Sequence, residues 1–330
     1  MTTMPDPILD PEVMTKRFLE ELDRFTKSSD TFAKLATSRL DIKIGQTPKT
    51  LIWSLNKAKL YHFTPVLPPE QRHPVPLLLI FALINRPDIF DLRPGNSFVE
   101  YLLNQGYDVY MVDWGRPGQE DSHYTFDDYV LEYMPRIVRA MQRHMGKRED
   151  KEAGPFNRWL TTEYYNVDEL VRQYGNMPGS MIDYGSKMLK PVENFISNYF
   201  KLWDNLDNPA VVESYMAMNK WVTDLVDFPG GAFRQWVVEF YRENRLMEGT
   251  LKLRGETVNL RNIRCNFLNV IADKDHIVPT CQSTSVMDKV GTRDKLLLHM
   301  RGGHIGMMVG SGANKRVWPQ IDAWLAKRSN

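Results

Sequence analysis

The chain has 330 residues, 42% of them hydrophobic and 25% charged, with a net charge of +1. That composition describes an ordinary globular protein with enough apolar residues for a sizeable core, and its charge gives no reason to expect nucleic acid or an anionic membrane as partner. No apolar run approaches the ~20 residues needed to span a bilayer, MTTMPDPILD does not read as a signal peptide, and two cysteines, Cys265 and Cys281, make no disulfide framework, so a reducing cytoplasm is the expected compartment.

Asp10-Pro11-Glu12 reads as a helix start, and Val13, Phe18, Leu19, Leu22 and Phe25 continue it as an apolar stripe. A peripheral helix pair ending near Lys43 is expected. Thr50 to Trp53 and Ala58 to Phe63 are strand-like, and the proline-rich stretch 65–76 is a loop. LLLIFAL (77–83) and YDVYMVDW (107–114) read as buried strands, with a helix within 91–106 between them. Thr125 caps a further helix to about Met145, with Phe126, Tyr129, Tyr133, Ile137 and Met141 on its apolar side. Strand and helix in alternation predict an α/β fold with a parallel sheet.

The alternation then fails. KREDKEAGP (147–155) holds no strand, and the next buried-strand pattern begins at 265. Between them, 162–174, 191–205, 209–226 and 231–248 are helical in character, punctuated by Pro178-Gly179, Pro209 and Pro229-Gly230-Gly231. This predicts a helical lid over 156–250, inserted between core parts 1–155 and 251–330. Its methionines and aromatic residues suggest helix packing and an adaptable apolar surface. The strands at 77–83, 107–114, 265–272 and 295–300 are expected in one layer, and Val317 to Lys327 as the last helix.

The run from Phe267 to Ala272 ends in Asp273 and Asp275, and the run from Leu296 to Met300 ends in Gly302-Gly303-His304. In open parallel sheets chemistry sits past the carboxyl ends of the strands. A carboxylate after one strand and a histidine after the next is how α/β-hydrolases present acid and base, in the chain order nucleophile, acid, histidine. By sequence alone either aspartate could cap a turn, and His276 reads as a structural neighbour.

The segments TPKTLIWSLNKAKLY (47–61), FALINRPDIFDLRPGNSFVEYLLNQGYDVYMVDWGRP (81–117), AGPFNRWL (153–160), PGSMIDYGSKMLKP (178–191), IRCNFLNVIADKDHIVP (263–279) and GGHIGMMVG (302–310) resemble the polyhydroxyalkanoate synthases. The likeness is to the catalytic subunit of the short two-subunit classes. The resemblance implies an α/β-hydrolase core with a helical lid, and an acyltransferase that polymerises (R)-3-hydroxyacyl groups from coenzyme A thioesters. It makes His304 the general base, Asp275 the orienting acid, and the loop at Leu83, Ile84 and Asn85 an oxyanion donor. It implies a polyester product, a second synthase subunit or a homodimer, and residence in the cytoplasm, including the polymer granule surface. It calls for no cofactor and no metal.

The family's nucleophile is a cysteine in a G-x-C-x-G elbow, activated as thiolate by histidine. Neither G-x-C-x-G nor G-x-S-x-G occurs in this sequence. Gly146 to Ala153 stands where relatives place strand, elbow, helix and a further strand. Roughly 50 residues are missing, a βαβ unit alone taking ~30 or more. Cys265 begins a strand about 25 Å from the chemistry at ~3.3 Å per residue, and reads as a small buried hydrophobe. Cys281, six residues past Asp275, starts a helix. Ser180 and Ser186 lack a strand-turn-helix setting. The chain as written is therefore expected to be inactive in polymerisation. It would be a nucleophile-less homologue or deletion variant that binds partner subunit or polymer granule, with an esterase using Cys281 as a further alternative.

Overall fold

The structure, a computed structural model, describes residues 11–36, 42–145, 167–188, 198–310 and 312–329. They divide into two compact units, Met1–Ile44 with Lys190–Thr223, and Gly45–Leu189 with Asp224–Asn330.

In the first unit one helix, Pro11–Ala36, replaces the expected helix pair. No glycine or internal proline interrupts this stretch, and the i,i+4 pairs Asp23–Lys27 (2.6 Å) and Asp30–Lys34 (2.5 Å) run in the favourable acid-first direction. The expected cap Asp10 lies outside the described residues. Phe32 meets Trp203 edge-on at 5.9 Å, and Arg24 pairs with Asp207 at 3.2 Å. Phe18, Leu19, Leu22 and Phe25 nevertheless stay exposed.

Among its described residues the second unit holds two main sheets, besides two short two-stranded hairpins at 91–97 and 252–257. β1 (Lys49–Leu55), β2 (Ala58–Phe63), β3 (Leu77–Ile80) and β4 (Val109–Asp113) lie in the order β1-β2-β4-β3. β3 and β4 are parallel, and the other pairings antiparallel. β5 (Phe267–Ala272) and β6 (Lys295–Met300) form a separate parallel pair, with Ala272 opposite Met300. The expected single layer is thus divided. Among the described residues no ladder joins β3 to β5, and the two strands that face the break are both edges. Among the described residues no strand stands between them, at the place where the family resemblance puts a strand-helix-strand unit. β3 also stops at Ile80 rather than 83, where the backbone turns.

A common core holds the sheets together without a ladder. Val109, Met111, Leu77 and Leu79 point to one face and pack with Val270, Leu298 and Met300 beneath Phe98, Leu102 and Trp318. The alternate residues Leu78, Tyr110, Val112 and Leu60 face Tyr133, Ile137 and Ala140 on the other side. This is the two-residue period of a strand buried on both faces. Trp318 Nε1 donates to the Met308 carbonyl at 3.0 Å, which satisfies the polar atom of a buried indole.

Thr125 and Asp128 form a capping box at the start of Phe126–Asp128. The chain continues as a π-helical turn, Tyr129–Tyr133, into the α-helix Met134–His144. Pro135 has no N–H to give, so a widened turn just before it is the local adjustment. Further on, Pro178 starts the helix Gly179–Met188 where the sequence suggested only a break. Met177, Phe228, Phe233 and Val237 form an apolar cluster. Residues 146–166 and 189–197, which contain KREDKE, AGPFNRWL and the start of the helix expected at 191–205, lie outside the described residues.

Candidate functional site

β5 and β6 run parallel, so their carboxyl ends lie side by side. Asp273 N–H donates to the Met300 carbonyl (3.0 Å) and Lys274 N–H to the Gly302 carbonyl (2.9 Å), which lashes the two following loops together. The Asp273 carboxylate accepts the Gly302 N–H at 2.9 Å, and this bond holds its carboxyl below the usual range. Gly302 has φ 153°, a conformation that favours a residue without Cβ.

That lashing leaves Asp275 to face the histidine. Its Oδ2 lies 2.8 Å from His304 Nδ1, while Oδ1 accepts the N–H groups of Ile277 (2.9 Å) and Val278 (2.8 Å). The Asp275 side chain is 5% exposed and that of His304 33%. Burial pushes the Asp275 carboxyl up, but the bonds from His304 and from the Val278 and Ile277 N–H groups outweigh it and hold it below the usual range. Its two oxygens have distinct tasks: one fixes the turn, the other fixes the imidazole. An imidazole held at Nδ1 by a buried carboxylate presents Nε2 as a proton acceptor.

The loop after β3 carries Leu83, Ile84 and Asn85. Among the described residues no acceptor takes the N–H of Leu83 or Ile84. Asn85 Oδ1 accepts the N–H of Arg86 at 2.8 Å, and the side chains of Leu83 and Ile84 pack against the Phe228–Phe233 cluster. The loop is anchored by Arg86, whose guanidinium grips Asp113 at the end of β4 with two bonds of 2.7 and 2.8 Å. No hydrogen bond among the described residues joins this loop to Asp275 or His304.

Sequence reasoning did not single out Arg86 and Asp113, although Asp113 ends a core strand and Arg86 closes the loop that follows another. The expected burial of Cys265 is corrected. Both Cys265 and Cys281 are exposed, because β5 begins only at Phe267 and leaves Cys265 in the bend before it. Cys281 lies in the helix Thr280–Thr284, and Ser180 and Ser186 in Gly179–Met188, where Ser186 bonds back to the Ile182 carbonyl. Among the described residues His304 bonds to no hydroxyl or thiol.

The chain is 31% identical to the poly(3-hydroxyalkanoate) polymerase subunit PhaC of Haloferax mediterranei, over 94% of its own length and 69% of that protein's. It is 32% identical to the subunit of that name from Allochromatium vinosum, over 87% of its length and 90% of the relative's. The chain belongs to the poly(3-hydroxyalkanoate) polymerase family. The first alignment extends over 346 positions, more than the 330 residues of this chain, so that polymerase subunit carries residues with no counterpart here. No family model matches the chain. Among solved structures, the monoacylglycerol lipase of Paleococcus ferrophilus covers 82% of this chain with 99% of its own, at a TM-score of 0.50 and 15% identity. That likeness gives the polymerase-family chain its α/β-hydrolase fold. No helix among the described residues is long and apolar enough to cross a membrane.

Proposed function

We propose that this chain is built for acyl transfer from (R)-3-hydroxyacyl-coenzyme A thioesters into a polyester, and that it lacks the group that would make the covalent bond. His304 is the general base, Asp275 orients it, and the Leu83, Ile84 and Asn85 loop supplies N–H groups to the thioester oxyanion. Residues 156–250 form the lid, between core parts 1–155 and 251–330. The single observation that carries this reading is the 2.8 Å contact of a buried Asp275 with a half-buried His304 at the carboxyl end of parallel strands. In the reaction a cysteine thiolate, its proton taken by Nε2, adds to the thioester carbon, and the coenzyme A thiolate leaves with the proton. With no thiol bonded to His304, the first bond is not made.

A second reading is favoured by the two open strand edges facing the break in the sheet: a non-catalytic chain that joins a second synthase subunit, another copy of itself, or the granule surface in the cytoplasm. The experiment is acyl transfer from labelled 3-hydroxybutyryl-coenzyme A, with mass spectrometry of the intact chain. Neither polymer nor acyl-enzyme is expected. Polymer formation abolished by Cys281→Ala would overturn the loss of function, and acyl-Cys281 that only hydrolyses would make the chain an esterase.

A further inference from the structure

Remote from the Asp275–His304 pair, at the opposite edge of the larger sheet, is a second concave site. β1 is the outer strand there, and the helix Met134–His144 packs over it. Trp53 and Leu55 from β1 and Arg136, Arg139 and Arg143 from the helix line a cavity of about 200 Å³. The three arginines sit at i, i+3 and i+7, so they form one row about 10 Å long at ~1.5 Å rise per residue.

Several arginines elsewhere in this unit are paired with carboxylates, although Arg261, Arg264, Arg293, Arg301 and Arg316 are not, among the described residues. Arg86 grips Asp113, Arg245 meets Glu243, Arg254 bridges Asp128 and Glu132, and Arg328 holds Asp294. Among the described residues Arg136, Arg139 and Arg143 have no carboxylate partner and no hydrogen bond. The carboxylates that precede the row on the same stretch, Asp128 and Glu132, are taken by Arg254. Stacked like charges at i,i+3 and i,i+4 weigh against the helix unless an anion offsets them.

We propose that this cavity binds a diphosphate-bearing nucleotide, its phosphates along the arginine row and its base against the Trp53 indole. Guanidinium forks match phosphate oxygens in pairs, and a row of this length spans two phosphates better than one small anion. A flat base finds its natural partner in a half-buried indole. A net charge of +1 makes the basic patch a local feature, on the scale of a small anion rather than a nucleic acid or a membrane. Three strands separate β1 from the break in the sheet, so a ligand here acts as an effector, not at the His304 imidazole.

Isothermal titration calorimetry of the full chain with ADP, coenzyme A and pyrophosphate tests this. ADP and coenzyme A should both bind, and Arg139→Gln with Arg143→Gln should weaken each by about tenfold or more. Trp53→Phe keeps the stacking partner and should change little, whereas Trp53→Ala should weaken ADP about fivefold or more and leave pyrophosphate unchanged. Binding of coenzyme A alone, still lost in the arginine double variant, would identify the acyl carrier as the nucleotide source. No binding of any of the three, or equal affinity in the double variant, overturns the proposal. Neither result depends on whether the chain transfers acyl groups.

Discussion

Replacing Asp275 separates its two tasks. The carboxylate accepts one bond from the His304 imidazole and two from the backbone of Ile277 and Val278, all between 2.8 and 2.9 Å. Asp275→Ala leaves all three donors without their acceptor. Both backbone donors are half-buried and water reaches them, so each costs about 1 kcal/mol, and the charge-assisted imidazole contact about 1.5 kcal/mol. The expected loss is about 3.5 kcal/mol. Asp275→Asn keeps a carbonyl oxygen for the two backbone donors and loses only the charged contact, about 1.5 kcal/mol. The pH dependence has a fixed sign. The folded carboxyl titrates below its ordinary value, so its stabilisation is fully present above the unfolded value of ~3.9 and is lost as pH falls through the lowered folded one. Urea midpoints of wild type, Asn and Ala variants at pH 7 and at stepwise lower pH report all of this. The wild-type advantage over Asn should shrink as pH drops below about 4. Equal losses for Asn and Ala, or an advantage that does not change with pH, would refute the division of labour between the two oxygens.

Arg86→Met should destabilise the chain by about 3 kcal/mol, because it strands the buried Asp113 carboxylate, and Arg86→Lys should cost less but lose the two-pronged grip; chemical denaturation checks both. Cys265 and Cys281 should both react with a maleimide in the folded protein without denaturant, since both are exposed, and intact mass after brief labelling would show two adducts.

Much of this architecture was legible because strand burial and helix stripes leave different periods in a sequence. β4 is buried throughout and reads as one continuous apolar run. The helix from Thr125 announces both its cap and its inward face. The placement of Asp275 and His304 also follows from the sequence, since each comes directly after a strand that pairs in parallel with the other. What escaped was set by neighbours that local sequence does not contain. LLLIFAL runs three residues past the end of β3, because the backbone leaves the strand after Ile80 and turns. Cys265 is small and precedes an apolar run, yet its burial depends on the first residue that pairs, Phe267. The choice between Asp273 and Asp275 turned on the Gly302 N–H, a contact across two loops.

The break in the sheet carries the last prediction. The larger sheet ends at β3 and a second sheet holds β5 and β6, and each edge bears backbone donors and acceptors that a neighbour would take up. β3 shows the consequence in its side chains: Leu77 and Leu79 remain in the shared core, while Ile80 is 40% exposed. The core below, from Val270 and Leu298 to Phe98 and Trp318, holds both sheets through one face, so the unit folds without the missing ladder. Edge pairing between copies is then the cheapest way to cover what is open. Ile80→Lys places a charge on that edge and removes only a partly exposed side chain, so it should leave the urea midpoint nearly unchanged while lowering association at micromolar concentration. Light scattering after size exclusion measures the association, and unfolding by urea the stability. A wild-type chain that is already a monodisperse monomer, with a sharp and reversible transition at high temperature, would show that the two edges are covered from within and that the sheet is not open.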